Sequence, residues 1–232
     1  SLQAGDPKKI SKLTKINVFS DFRNKNIAEG GRGAPLIPDF HKYIFSETGK
    51  RKLIINIGGI SNGTYLDGEN IAAASDIGPG NCLLDFVMTS SQLGDYDKDG
   101  QIASNGTINN LIKDELMSCF MNMGYPRADD ITAYTEPLLI RFKEYKKIPV
   151  NELLRTLVEV TAEKIKEFYE YCDYPDEVIF HGGGTLNKTL MKSIAEKVKT
   201  DIQTTDHIVP SRYMESSAFA YLAYADKGVL FK

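Results

Sequence analysis

The stretch Ser75-Asp76-Ile77-Gly78-Pro79-Gly80-Asn81, "SDIGPGN", sets one carboxylate between the small apolar run "IAAAS" and a turn built of Gly-Pro-Gly. Ahead of the turn, "NIAAASD" (70–76) has the composition of a buried strand. Behind it, "NCLLDFVMTSSQL" (81–93) carries apolar residues at helical spacing. Asp76 is therefore expected where a strand hands over to a helix, the place at which α/β folds keep their ligands. An N-capping carboxylate bonds donors two or three residues on, but Pro79 fills one of those positions and has no N–H. Capping is thus a poor explanation. A carboxylate so placed can act as general base when a ligand is within reach.

Working outward from Asp76, strand signals precede it and helix signals follow. "KLIINIG" (52–58), "GTYLD" (63–67) and "NIAAASD" come in quick succession, and Asp67-Gly68 between the last two is a hairpin signal. Further upstream, Gly5-Asp6-Pro7 feeds a first helix, "INVFSDF" (16–22) reads as a buried strand, and "RNKNIAEGGRGAPLIP" (23–38) as a long loop. "DFHKYIF" (39–45) reads as a short helix, and the polar "SETGKRK" (46–52) as a joint between two lobes. Downstream, the helix after the turn is expected to reach about Leu93, and "YDKDGQIASNG" (96–106) is a polar loop before a helix over 107–119. Residues 121–147 give no clear period. Leu153, Leu157, Val160, Ile165 and Phe168 mark an amphipathic helix over 150–172. A strand (177–180), a helix (185–198), a strand (201–205) and a last helix (213–225) follow. Three strands in hairpin order and then alternating helices and strands predict an α/β fold, a mixed sheet with helices on its faces.

Composition bounds the function. The 232 residues carry 28 Lys and Arg against 31 Asp and Glu, and 42% are hydrophobic, enough to bury a sizeable core. This balance gives no broad electrostatic reason to bind nucleic acid or anionic lipid. Cys82, Cys119 and Cys172 are an odd number without metal or disulfide spacing, which fits a reducing cytoplasm. No apolar run approaches the roughly 20 residues of a membrane helix. The opening "SLQAGDPKKISKL" reads like the interior of a domain, as though part of a larger fold lay upstream.

Two glycine turns follow buried strands and can bring backbone N–H groups close to oxygen anions. The first is Gly58-Gly59 in "INIGGISNGT" (55–64), where Asn62 adds a side-chain donor; a hairpin turn needing positive φ explains it as well. The second, Gly182-Gly183-Gly184 in "IFHGGGTLN" (179–187), opens a helix whose N–H groups can face an anion or a nucleobase; close packing of strand and helix is the competing explanation. Neither has the ending of a P-loop or the spacing of a dinucleotide fold. Asp21, Arg23 and Glu215 are charged residues at element ends, where solvation or ion pairing is the ordinary role.

Taken in order, "QAGDPKKI", "SDFRNKNIAEGGRGAPLIPDFH", "NIGGISNGTYL", "SDIGPGN", "YDKDGQIASNG", "HGGGTLNKTLM" and "ESSAFAYLA" resemble the successive motifs of the anhydro-N-acetylmuramic acid kinases, from Gln3 to about Ala225. The resemblance implies the ribonuclease H-like, actin-like ATPase fold shared with hexokinase and Hsp70. In such a fold, 1–49 would be a remnant of the first, sugar-binding lobe, 50–208 the second, nucleotide-binding lobe, and 209–232 a helix returning to the first. It further implies a cytoplasmic kinase of peptidoglycan recycling that uses ATP and Mg2+ to open a 1,6-anhydro sugar with water while phosphorylating O6. Asp76 would be the base, Arg23 and Glu215 would line the sugar site, Gly58, Gly59 and Asn62 would approach the phosphates, and Gly182, Gly183 and Gly184 would border the adenosine.

The chain departs from the family pattern in places. The family's amino-terminal Gly-Thr-Ser-x-Asp-Gly phosphate loop has no counterpart here. "NMGYPRADDITAYTE" (122–136) stands where a basic, glycine-containing segment is usual, Ile77 replaces the usual Thr, and Leu186 replaces an Arg. Three readings stay open: an active kinase, with a separate chain or an upstream segment supplying the phosphate loop; a silent nucleotide- or sugar-binding module; and a kinase for another hexose derivative. A half-fold would also expose apolar surface, which makes a homodimer an expectation.

Overall fold

The computed structural model of the chain describes residues 5–30, 33, 35–121 and 124–232. Helix α1 (Pro7–Thr14) is capped by Asp6, whose carboxylate accepts the Lys9 N–H at 3.1 Å, with Pro7 in the first turn. Next come β1 (Val18–Ser20), α2 (Phe22–Ala28) and α3 (Pro38–Phe45), then the hairpin strands β2 (Arg51–Ile57), β3 (Ile60–Asp67) and β4 (Asn70–Pro79). The remainder is α4 (Cys82–Ser90), α5 (Asn110–Phe120), α6 (Thr132–Tyr145), α7 (Val150–Tyr171), β5 (Glu177–His181), α8 (Lys188–Ala195), β6 (Ile202–Thr204), α9 (Met214–Tyr224) and β7 (Val229–Phe231).

The main sheet has the order β4-β3-β2-β5-β6, antiparallel through the hairpins and parallel from β2 to β5 and from β5 to β6. Its central strands are covered on both faces, which is why "KLIINI" is an unbroken apolar run and not an alternating one. Leu53, Ile55 and Ile57 enter a core shared with α4 to α8, while Ile54, Leu66 and Ile179 enter a second, smaller core with Phe40 and Phe45 of α3 and Met214 and Ala218 of α9. A separate antiparallel pair joins β1 to β7, Val18 opposite Phe231.

The mixed sheet is as the sequence predicts, but several boundaries differ. The expected buried strand at 16–22 is three residues long and none of them is fully buried. The expected loop from Arg23 begins as helix α2, which buries none of its residues and has no side-chain cap, so neither period nor cap marks it. Helix α4 stops at Ser90, and Gln92 turns at φ 57. The residues without a clear period contain α6, whose interior Pro137 obscures the helical signal.

Candidate active site

Asp76 lies within β4, three residues before the strand ends, and in register with Asn62 of β3 beside a bulge. The strand runs past it, so the hand-over to α4 is made by Gly80 and Asn81 and not by Asp76; the Asn81 side chain does not cap the helix but donates Nδ2 to the Ile57 carbonyl at 3.4 Å. The Asp76 side chain is half-buried. Its N–H donates to the Arg127 carbonyl at 3.0 Å, and its Oδ2 accepts the Asp129 N–H at 2.7 Å. Burial raises its carboxyl above the ordinary value; the Asp129 N–H and Arg127 pull it down, and the Asp129 carboxylate pushes it up. Among the described residues Asp76 makes no ion pair, for Arg127 pairs instead with Asp129 (Nε to Oδ2, 2.7 Å).

The Gly58-Gly59 turn is clamped onto the start of α4. The Gly59 carbonyl accepts the N–H groups of Gly80 (2.9 Å) and Cys82 (3.1 Å), and the Gly58 carbonyl accepts that of Asn81 (2.8 Å). A Cβ at Gly80 would stand 2.3 Å from the Gly58 oxygen, so only glycine fits there. These bonds take the N–H groups of the two residues before α4 and of its first residue and use the turn's carbonyls, leaving the N–H groups of Gly58 and Gly59 out of the clamp. The order "NIGG" then "GPGN" in the sequence is thus one folded unit, and Asn62 and Asp76 sit opposite each other beside it.

Gly182, Gly183 and Gly184 do not act alike. Gly182 has φ +91, and a Cβ there would meet Asn56 Oδ1 at 2.3 Å; one at Gly184 would meet Ile57 Cγ2 at 2.1 Å. Both are close-packing glycines. Gly183 has nothing within 4 Å and forms part of the wall of a cavity of about 340 Å³, within the range of small-molecule pockets. In the helix that follows, α8, one first-turn donor is taken, for Asn187 Oδ1 accepts the Leu190 N–H at 3.0 Å.

The same cavity is lined by Asp85, Asp95, Asp97 and Asp99, with Tyr96 and Leu186, residues that the sequence reading gave no role. Alternate carboxylates in "GDYDKDG" (94–100) were the available signal. Asp97 is structural: its two oxygens accept the N–H groups of Ile102 and Ala103, each at 2.9 Å. Asp85 is pushed up to about 6 by burial and by Asp95. Such a lining accepts hydrogen bonds from hydroxyls and amines and repels phosphate. Of the expected sugar contacts, Arg23 donates Nη1 to the Gly33 carbonyl at 2.8 Å, and Glu215 is exposed in the first turn of α9. Gly31, Arg32 and Ala34 of the glycine-rich loop lie outside the described residues.

The mixed sheet with helices on both faces is shared with solved structures of the actin-like ATPase fold, which is the fold of this chain. Solved structures of similar fold include the activator of the 2-hydroxyisocaproyl-CoA dehydratase from Clostridium difficile with bound ADPNP (TM-score 0.55, 14% identity, 83% of this chain and 65% of that one). The (R)-2-hydroxyglutaryl-CoA dehydratase component A of Acidaminococcus fermentans is another (TM-score 0.53, 13% identity, 83% and 67%). The model of the anhydro-N-acetylmuramic acid kinase family matches residues 1–228, and the chain belongs to that family. Proteins named anhydro-N-acetylmuramic acid kinase are similar throughout: that of Shewanella frigidimarina is 36% identical over 96% of this chain, and that of Pseudomonas savastanoi pv. phaseolicola 34% over 97%. The chain spans 62% and 63% of the length of those two relatives. No helix among the described residues is long and apolar enough to cross a membrane.

Proposed function

We propose that this chain carries the nucleotide-binding part and the catalytic base of an ATP-dependent sugar kinase that opens a 1,6-anhydro-N-acetylmuramic acid with water and phosphorylates O6. One observation carries the reading: Asp76 is half-buried, makes no ion pair among the described residues, holds the Asp129 N–H on one oxygen, and has an Oδ1 that makes no hydrogen bond to a described residue. Oδ1 takes a proton from water as the water oxygen attacks the anomeric carbon. The bond from that carbon to O6 breaks, and O6 receives the γ-phosphoryl group as ADP leaves. Membership of the kinase family supports the substrate.

The acidic cavity suits the hydroxyls and amine of adenosine, and the N–H groups of Gly58 and Gly59 with Asn62 suit the phosphates. Arg23 and Glu215 are assigned to the sugar on the resemblance. The lobes follow the same division: 1–49 and 209–232 to the sugar side, 50–208 to the nucleotide side, with α3 and α9 packed together on one face of the sheet. Among the described residues no three His, Cys, Asp or Glu side chains converge to hold a metal; the magnesium ion that the resemblance implies would be carried on the nucleotide phosphates. Such an ion would neutralise phosphate charge.

The test is calorimetry with Mg-ATP and a phosphorylation assay with the anhydro sugar, on the enzyme reconstituted with its phosphate-loop part, unaltered and as Asp76→Asn. The substitution is expected to abolish ring opening and leave ATP affinity within twofold. Undiminished turnover would remove Asp76 from the role of base.

A further inference from the structure

The segment from Tyr125 to Ile131 crosses β4 beside Asp76 and is fastened to it along its length. Arg127 exchanges two main-chain contacts with the strand: its N–H donates to Ser75 Oγ at 2.9 Å, and its carbonyl accepts the Asp76 N–H at 3.0 Å. Its side chain, only 10% exposed, donates Nε to Asp129 Oδ2 and Nη2 to the Ile77 carbonyl, and lies 4.5 Å over the Tyr125 ring. Tyr125 in turn donates its hydroxyl to the Ile77 carbonyl at 3.3 Å and stacks edge-on against Phe168 of α7. At the far end Tyr134 of α6, fully buried, donates its hydroxyl to Asp129. Burial opposes the charge on Arg127, but its bonds to Asp129 and Tyr134 outweigh that and raise its basicity.

All of this converges on one contact to the carboxylate, the Asp129 N–H on Asp76 Oδ2. An aspartate carboxyl rotates over a broad, two-fold torsional well, and a base misplaced by about 1 Å can lose ~10²-fold in rate. We infer that the 125–131 segment is a strap that positions Asp76: Asp129 pins Oδ2, Arg127 locks the strap to β4, and Oδ1 is kept as the proton acceptor. This rests on the reading of Asp76 as base. Arg127 and Asp129 are positioning residues, since they act through Asp76. The titratable groups that face the carboxylate are Asp129 and Arg127, with Tyr125 and Tyr134 behind them.

The test uses the unaltered protein first. The Asp129 amide resonance and the Asp76 carboxyl carbon, followed by NMR against pH, are expected to move with one midpoint; an Asp129 amide that ignores the Asp76 titration would overturn the strap. Arg127→Ala is expected to uncouple the two resonances and lower kcat by tenfold or more, with KM for ATP within twofold. Arg127→Lys, which keeps the charge but not the planar fork, is expected to restore part of the coupling and of kcat. Coupling and kcat both intact in Arg127→Ala would also overturn it. The two proposals fail separately: an active Asp76→Asn removes the base while the NMR coupling stands, and uncoupled resonances with a dead Asp76→Asn remove the strap alone.

Discussion

Three adjacent glycines in "HGGGT" answer to three different constraints. Gly182 needs its positive φ and its closeness to Asn56, Gly184 needs the space against Ile57, and Gly183 needs neither. Gly184→Ala is expected to cost about 1–3 kcal/mol, because the Ile57 side chain it meets is itself locked in the core. Gly183→Ala is expected to stay within about 0.5 kcal/mol of the parent. Urea denaturation of the two variants decides this, and equal losses would put Gly183 in the packing as well. Nothing in the three letters separates these roles, since the difference lies in what the neighbouring strand β2 brings alongside. Asp76 was more legible: Pro79 argues against a cap from sequence alone, and the fold gives the cap position to Asn81. Its partners Arg127 and Asp129 were not legible, being isolated charges in a turn-rich segment about fifty residues away.

At the scale of elements, α3 is joined to the main sheet by a buried polar chain. His41 Nδ1 meets Thr64 Oγ1 of β3 at 2.9 Å, and His41 Nε2 meets His181 Nε2 of β5 at 3.1 Å. Both imidazoles are about 1% exposed, and burial holds both below the ordinary 6.5, His181 at about 4; for His41 the neighbouring His181 adds to the effect. The pair is therefore neutral in the fold and protonated more readily in the unfolded chain. Stability from this pair is complete above about pH 6.5 and is lost as pH falls through the window toward 4, by on the order of 3 kcal/mol for His181. Urea midpoints between pH 7 and 4.5 are expected to fall more steeply for the parent than for His181→Asn, which keeps a polar group and removes one titration. Parallel curves would show that the pair does not titrate in that window. The sequence foretold the strands of the main sheet from their apolar runs and α3 from its short apolar pattern, and it offered no strand at β7. It hid α2, which buries no residue, and α6, which carries Pro137 in its interior.

At the scale of the molecule, the first and last parts of the chain hold each other. Among the described residues β1 pairs only with β7, both three residues long, and neither joins the five-stranded sheet. Around that pair, Lys25 Nζ bonds the carbonyls of Asp226 and Gly228, and a Cβ at Gly228 would stand 2.5 Å from the Phe22 ring, which itself meets Phe219 edge-on at 5.4 Å. No local pattern predicts a pairing across some two hundred residues, because three-residue strands have too few positions to show a period. The large core, by contrast, is built wholly within residues 53–202. Two units of unequal stability follow, since the terminal unit buries little and the sheet core buries both faces. Deleting residues 226–232 is expected to remove hydrogen-exchange protection from the amides of Val18–Ser20 while those of Leu53–Ile57 remain protected, and to leave the main unfolding midpoint nearly unchanged. Trypsin should then cut first within α1, where Lys8, Lys9 and Lys12 are exposed, and spare the sheet. Loss of protection in β2 on the same deletion would mean that the termini and the sheet unfold as one cooperative body, and the division into two units would have to be abandoned.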